Sequence, residues 1–228
     1  MRKGLALALL GASLFVTPSK VEAAARCDVV VVVADSLVTY APTDLYLAAF
    51  QNVGFPQVLI LAGAGRAIMH PDVLEDDTLG WASWSERGSF LLGGHRSGVD
   101  AVHFARWVLP GKELCWVIAL GNNDAGHLPE AWWADDIDRM MVALRGDPAM
   151  WVTVWADRGE KGYTPETSRR WNEVLTAELA GRNFVCDWAG WATTNGGPWL
   201  DESGVHLTER GNKVRSLVVA QCARFAFK

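Results

Sequence analysis

Five short apolar runs rich in β-branched residues, at 28–34, 57–61, 114–120, 150–155 and 184–188, alternate along this chain with amphipathic segments at 44–52, 98–109, 129–144, 166–180 and 209–225. That alternation constrains the fold more than any other feature. It is the pattern of a parallel sheet covered by helices, an open α/β sandwich read as βαβαβαβαβα. Several helix ends are marked locally: Ser97 and Thr208 suit N-caps, and Gly54, Gly146 and Gly181 suit C-terminal turns. The longest irregular region, 66–96, carries Pro71, Gly80, Gly88, Gly93 and Gly94 and is expected to be a loop bordering a site. No internal repeat, low-complexity tract or interdomain linker interrupts the pattern.

The ends of the chain suggest where it works. Arg2 and Lys3, an apolar stretch from Leu5 to Val16 and the small-residue run Ala23-Ala24-Ala25 are the three parts of a secretory signal peptide. The stretch is too short to span a bilayer, so we expect residues 1–25 to be removed and residues 26–228 to form one domain without a stable membrane anchor, secreted or in the cell envelope. Arg26 precedes Cys27 where a lipoprotein would need a small residue, so no lipid attachment is expected. The formal net charge is −5 without a basic stripe, which argues against nucleic acid as a partner. Cys27, Cys115, Cys186 and Cys222 fit no zinc spacing and allow up to two disulfides in an oxidising compartment. Three full pairings are open; a topological guess joins Cys27 to Cys222.

In an open α/β sheet, ligands bind outside the carboxyl ends of the strands. Ser36 follows the first strand, "AGAGRA" (62–67) the second, "GNNDAGH" (121–127) the third and "DESGVHLTERG" (201–211) the fifth. These segments supply a hydroxyl, glycine N–H groups, a carboxamide and an imidazole, the residue types that acyl transfer needs. A serine alone after a strand is ordinarily a turn residue, a histidine near a chain end ordinarily a surface residue, and Asn123 could simply cap the helix behind it. Their joint occurrence argues otherwise.

Taken in order, these blocks resemble those of the SGNH hydrolase superfamily, the GDSL esterases and lipases. Ala34-Asp35-Ser36-Leu37 stands where the family has Gly-Asp-Ser-Leu, Gly65 best matches the second-block glycine with Gly63 as the lesser choice, and Gly121-Asn122-Asn123-Asp124 matches the third block in full. The fifth block ends in "GVHLT". The resemblance implies a single-domain three-layer α/β/α sandwich on a flavodoxin-like five-stranded parallel sheet. It implies Ser36 as nucleophile, His206 as general base and Gly65 and Asn123 in the oxyanion hole. The family commonly places Asp three residues before the histidine; Ser203 stands there, with Asp201 and Glu202 upstream. Asp201 is expected to support His206 in preference to Glu202, and a dyad braced by Ser203 or a backbone carbonyl is the alternative.

The expected function is therefore a secreted serine esterase acting on a small-molecule or cell-envelope ester, a lipid or an O-acyl glycan, as a monomer with no metal or organic cofactor. The alternatives are a cell-envelope O-acyltransferase using the same site and a binding protein on an esterase scaffold. Of twelve tryptophans, Trp81, Trp84, Trp132 and Trp199 are expected to line the substrate cleft, with Trp133 near it. His70, His95, His103 and His127 lack metal-site spacing and read as structural or peripheral, His127 alone being close enough to "GNND" to line the cleft.

Overall fold

The computed structural model describes residues 27–69, 80–84, 88–92, 97–157 and 162–227, with the backbone path alone on 80–84 and 88–92. The expected leader lies outside the described residues. The chain runs β1 (Val29–Ala34), α1 (Ser36–Thr39), α2 (Thr43–Asn52), β2 (Val58–Ala62), β3 (Gly80–Trp84), β4 (Gly88–Leu92), α3 (Gly98–Val108), β5 (Leu114–Ala119), α4 (Asn122–His127), α5 (Glu130–Leu144), β6 (Ala149–Val152), α6 (Pro165–Glu178), β7 (Phe184–Cys186), α7 (Trp188–Asn195) and α8 (Glu209–Ala226).

Every residue of β1 is buried, so this strand must lie inside the sheet with both faces covered. It pairs in parallel with β2 on one side and β5 on the other. The parallel strands follow the order β2-β1-β5-β6-β7, and alternate residues of each strand feed two separate cores. Val30, Val32, Ile60, Val117 and Met150 pack under α2, α7 and α8. Val31, Val33, Leu59, Trp116, Ile118 and Trp151 pack under α3, α5 and α6. This is the expected three-layer sandwich with its five parallel strands. Among the described residues no helix is long and apolar enough to cross a membrane.

Two expectations about the secondary structure need correction. The region read as an irregular loop contains β3 and β4, an antiparallel pair that joins the edge beside β2, giving a sheet of seven strands. Glycine-rich ends obscured two strands of only five residues each. The strand expected to run to Trp188 stops at Cys186, because the Asp187 carboxylate accepts the Gly190 N–H at 2.9 Å and starts α7. Ser97 and Thr208 do cap α3 and α8.

The Cys27–Cys222 pairing is also overturned: the bridges are Cys27–Cys115 and Cys186–Cys222, with Cα separations of 5.6 and 5.7 Å. Cys27 leads into β1, whose direct neighbour is β5, whereas β7 lies three places away from β1 with β5 and β6 between them. α8 crosses β6 and β7, which brings Cys222 to Cys186.

Non-reducing peptide mapping is expected to recover these two linkages. Replacing Cys186 and Cys222 together by serine is expected to lower the unfolding free energy by about 2–5 kcal/mol in chemical denaturation.

Candidate active site

β1 is flanked by neighbours reached through crossovers that run in opposite directions, so a crevice opens at its carboxyl end. There the sheet narrows to three alanines in register, Ala62, Ala34 and Ala119. Ala34 therefore sits between small side chains at the position where the resemblance called for glycine. Asp35 ends the strand: in extended conformation it caps α1, its Oδ1 accepting the Leu37 N–H at 3.0 Å. Ser36 follows as the first residue of α1, 8 % exposed at the mouth of the turn.

Asp35 itself is wholly buried, and burial raises its pKa. Arg215, the Leu37 N–H, the Asn122 side chain and His206 oppose that shift by favouring the carboxylate. Arg215 is held in turn by donating to the Tyr46 hydroxyl at 2.8 Å.

His206 comes from the loop between α7 and α8, pinned by its carbonyl accepting the Asp201 N–H at 2.8 Å and by the Leu200–Leu207 bridge. Its Nε2 lies 3.2 Å from Ser36 Oγ. Its Nδ1 faces Ser203 Oγ at 3.5 Å. Ser203 donates its hydroxyl to Asp201 Oδ1, which also accepts the Ser203 N–H at 2.9 Å. The Ser203 oxygen additionally accepts the N–H groups of Val205 and His206, at 3.2 and 3.1 Å. With the hydroxyl proton committed to Asp201, the oxygen can accept from Nδ1–H, and sharing it among three donors accounts for the long contact. Asp201 thus reaches the imidazole through Ser203, where the sequence suggested a direct carboxylate contact. The exposed Tyr40 ring stands edge-on to His206, 5.0 Å between centroids.

The turn after β2 supplies the opposite wall. Arg66, buried, donates to the carbonyls of Ala34 at 3.2 Å and Leu61 at 2.6 Å, and burial pulls its pKa down to about 10. Gly65 beside it takes φ +67°, a left-handed conformation suited to glycine. From the third wall, α4, Asn123 donates Nδ2 to the Arg66 carbonyl at 2.9 Å and accepts the Tyr163 hydroxyl on Oδ1 at 2.8 Å. The structure thus brings the turn of Gly65, Asn123, Ser36 and His206 around the carboxyl end of β1, with Ser36 and His206 as a hydroxyl–imidazole pair.

The tryptophans divide. Trp132 is half exposed on the first turn of α5. Trp199 is not at the crevice surface but buried, its indole N–H on the Ala192 carbonyl at 3.1 Å, because the bridge before His206 folds it inward. Trp133 is buried too, donating to the Asp124 and Leu128 carbonyls. The backbone of Trp81 and Trp84 lies on β3, opposite Ala62 and Leu59, and their side chains lie outside the described residues, as do His70 and His95. His103 is exposed on α3. A cavity of about 1140 Å³ between α6 and α7 is lined by Thr153, Ser168, Arg169, Asn172 and Asp187 and includes neither Ser36, His206, Asn123 nor Gly65. Among the described residues no group of three or more His, Cys, Asp or Glu is placed to hold a metal ion.

Two contributors were not legible in the sequence. Tyr163 stands alone, 40 residues beyond Asn123, with no motif around it. Arg66 lies inside "AGAGRA", where a buried arginine in an apolar segment was the available signal.

With this geometry established, the chain can be set beside known proteins. No protein-family model matches it, and no curated protein matches it in sequence. Solved structures do. It is similar to a lipase/acylhydrolase from Enterococcus faecalis (14 % identity, 88 % of this chain and 97 % of that one, TM-score 0.63). It is likewise similar to a lipolytic protein of the G-D-S-L family from Veillonella parvula (12 %, 87 % and 97 %, TM-score 0.60). The fold is that of the SGNH hydrolases. The chain is also similar to an acetyl xylan esterase from Geobacillus stearothermophilus (12 %, 88 % and 95 %, TM-score 0.55).

Asp124, next to Asn123 in this SGNH scaffold, generates a pH test. Its Oδ1 accepts the Ile68 N–H at 3.0 Å and its Oδ2 is buried without a partner. Burial, reinforced by Asp136 and Asp35, pushes its pKa from 3.8 to about 7 against the opposing Ile68 hydrogen bond. Between those values the folded chain holds a proton that the unfolded chain has released. Its stabilising contribution is therefore full below about pH 4 and lost as the pH rises through about 7. Asp124→Asn keeps an acceptor and cannot ionise. Its denaturation midpoint is expected above that of the parent at pH 8, the gap closing toward pH 4; parallel midpoints at all pH values would refute the assignment.

Proposed function

We propose that this protein is a serine esterase that hydrolyses carboxylic esters through an acyl-enzyme on Ser36. The observation that carries the reading is the Ser36 hydroxyl 3.2 Å from His206 Nε2 at the crevice of a parallel sheet. A hydroxyl is a weak nucleophile until a base takes its proton. His206 removes that proton as Oγ attacks the ester carbon, and Nδ1–H donates into Ser203, whose own proton points to Asp201. The Asp201 charge, relayed through one hydroxyl, favours the imidazolium that forms and holds the ring in the tautomer the reaction needs. The carbonyl oxygen, gaining negative charge as the carbon becomes tetrahedral, is received by the remaining Asn123 amide proton and the backbone N–H groups of Ser36 and Gly65. His206 then protonates the departing alkoxide, and water repeats the sequence on the acyl-enzyme.

Export is supported by the leader-like residues 1–25 and by two disulfides, which persist in oxidising compartments, and in this reading the ester is a lipid or an O-acyl glycan. Residues 26–228 are the catalytic domain in this reading. The exposed Tyr40, edge-on to His206, offers aromatic surface beside the crevice.

The test is hydrolysis of p-nitrophenyl acetate, butyrate and longer esters, with fluorophosphonate labelling of Ser36. Ser36→Ala is expected to abolish both. Asp201→Ala and Ser203→Ala are each expected to lower kcat by at least about tenfold, and the double variant to be little worse than either, since the two act as one unit. Additive losses would separate Asp201 from Ser203. A chain that takes no label and turns over no ester is not an esterase.

A further inference from the structure

We infer that Tyr163 and His127 are positioning residues that lock the Asn123 amide into its oxyanion-binding orientation, an inference that rests on the esterase reading above. The Asn123 side chain is gripped at both ends. Its Nδ2 donates to the Arg66 carbonyl, a group that can only accept, so the amide nitrogen must face the turn after β2. Its Oδ1 must then face the other way, and there it meets the Tyr163 hydroxyl at 2.8 Å. One Nδ2 proton remains, fixed in direction by the other two bonds.

A phenol has a single proton, and Tyr163 gives it to Asn123. The second group on the Tyr163 oxygen, His127 Nε2 at 2.8 Å, is therefore a donor. A directed chain results: His127 Nε2–H to Tyr163 Oη, Tyr163 O–H to Asn123 Oδ1, Asn123 N–H to the crevice. Its two ends stand four residues apart on α4, the spacing that brings side chains to one side of a helix, and Tyr163 closes the span from the segment before α6. Burial, with Asp35 and Asp124 adding to it, raises the Tyr163 pKa, so the hydroxyl keeps its proton under working conditions.

The packing supports the same role. The Tyr163 ring lies against Gly126, where an added Cβ would come within 2.7 Å of the ring, and it meets the His127 ring edge-on at 5.1 Å between centroids. Gly126, inside "GNNDAGH", is the seat that lets a tyrosine stand directly behind the oxyanion asparagine. The benefit is preorganisation: a donor already aimed needs no rearrangement when charge develops on the carbonyl oxygen.

The experiment measures ester hydrolysis by the full chain and by Tyr163→Phe, His127→Leu, Asn123→Ala and Tyr163→Phe/Asn123→Ala, with thermal unfolding and Ser36 labelling of each. Phe keeps the ring against Gly126 and removes the hydroxyl alone. Its kcat is expected to fall on the order of tenfold, less than the 10²–10³ of losing a donor outright, with KM within about twofold. Because Tyr163 acts through Asn123, the substitution is expected to cost nothing further in the Asn123→Ala background. His127→Leu, at a partly exposed position, is expected to give a smaller kcat loss with the same KM and serves if Tyr163→Phe folds poorly. Wild-type kcat in both single variants, or a loss that persists undiminished on Asn123→Ala, overturns the inference while leaving the esterase intact. A parent chain with no turnover and no label overturns the esterase reading and this inference with it.

Discussion

The structure depends on placing one wholly apolar strand at the centre of a parallel sheet. β1 offers no polar face, so β2 and β5 must flank it and helices must cover both surfaces. Because the flanking strands are reached by crossovers in opposite directions, the chain has to part above β1. The residue leaving that strand, Ser36, is delivered into the gap.

Polar groups meet there at a desolvation cost that the apolar layers offset. Asp35, Arg66, Asn123 and Asp124 are buried at the exits of three adjacent strands, and Arg215 of α8 is buried near Asp35. Buried polar groups are tolerated when their partners are fixed, and fixed partners make a rigid site. Arg66 ties the turn after β2 to the end of β1, and its carbonyl orients Asn123 from the next wall. The imidazole is held differently, by a short loop bridge and a serine that passes on a carboxylate. One side of the crevice is thus set by buried charge, the other by a partly exposed loop.

How much of this could be read beforehand varied with the range of the interaction. The parallel strands and main helices follow from local periodicity, and the caps at Ser97 and Thr208 from neighbours within three residues. The antiparallel pair β3–β4 was hidden because its strands are short and its ends rich in glycine. The Cys27–Cys222 guess failed because sharing the edge of the sheet opposite the site does not make two residues neighbours; pairing follows which elements lie side by side across the sheet. Trp199, expected to line the cleft from its position before the histidine loop, is buried beside the Leu200–Leu207 bridge with its indole N–H on the Ala192 carbonyl.

By itself, the sequence determined the layered α/β architecture and the residue types at the strand exits, since both arise from local pattern: periodic burial and motifs of a few residues. The tertiary structure alone decided which carboxylate lies behind His206 and through which side chain, and what stands behind Asn123. Those outcomes hinge on the direction of a serine proton and on a tyrosine brought from 40 residues away to the space above Gly126. Hydrogen bonds are directional and short-ranged, so partners distant in sequence are chosen only once the backbone has placed them within about 3 Å of each other.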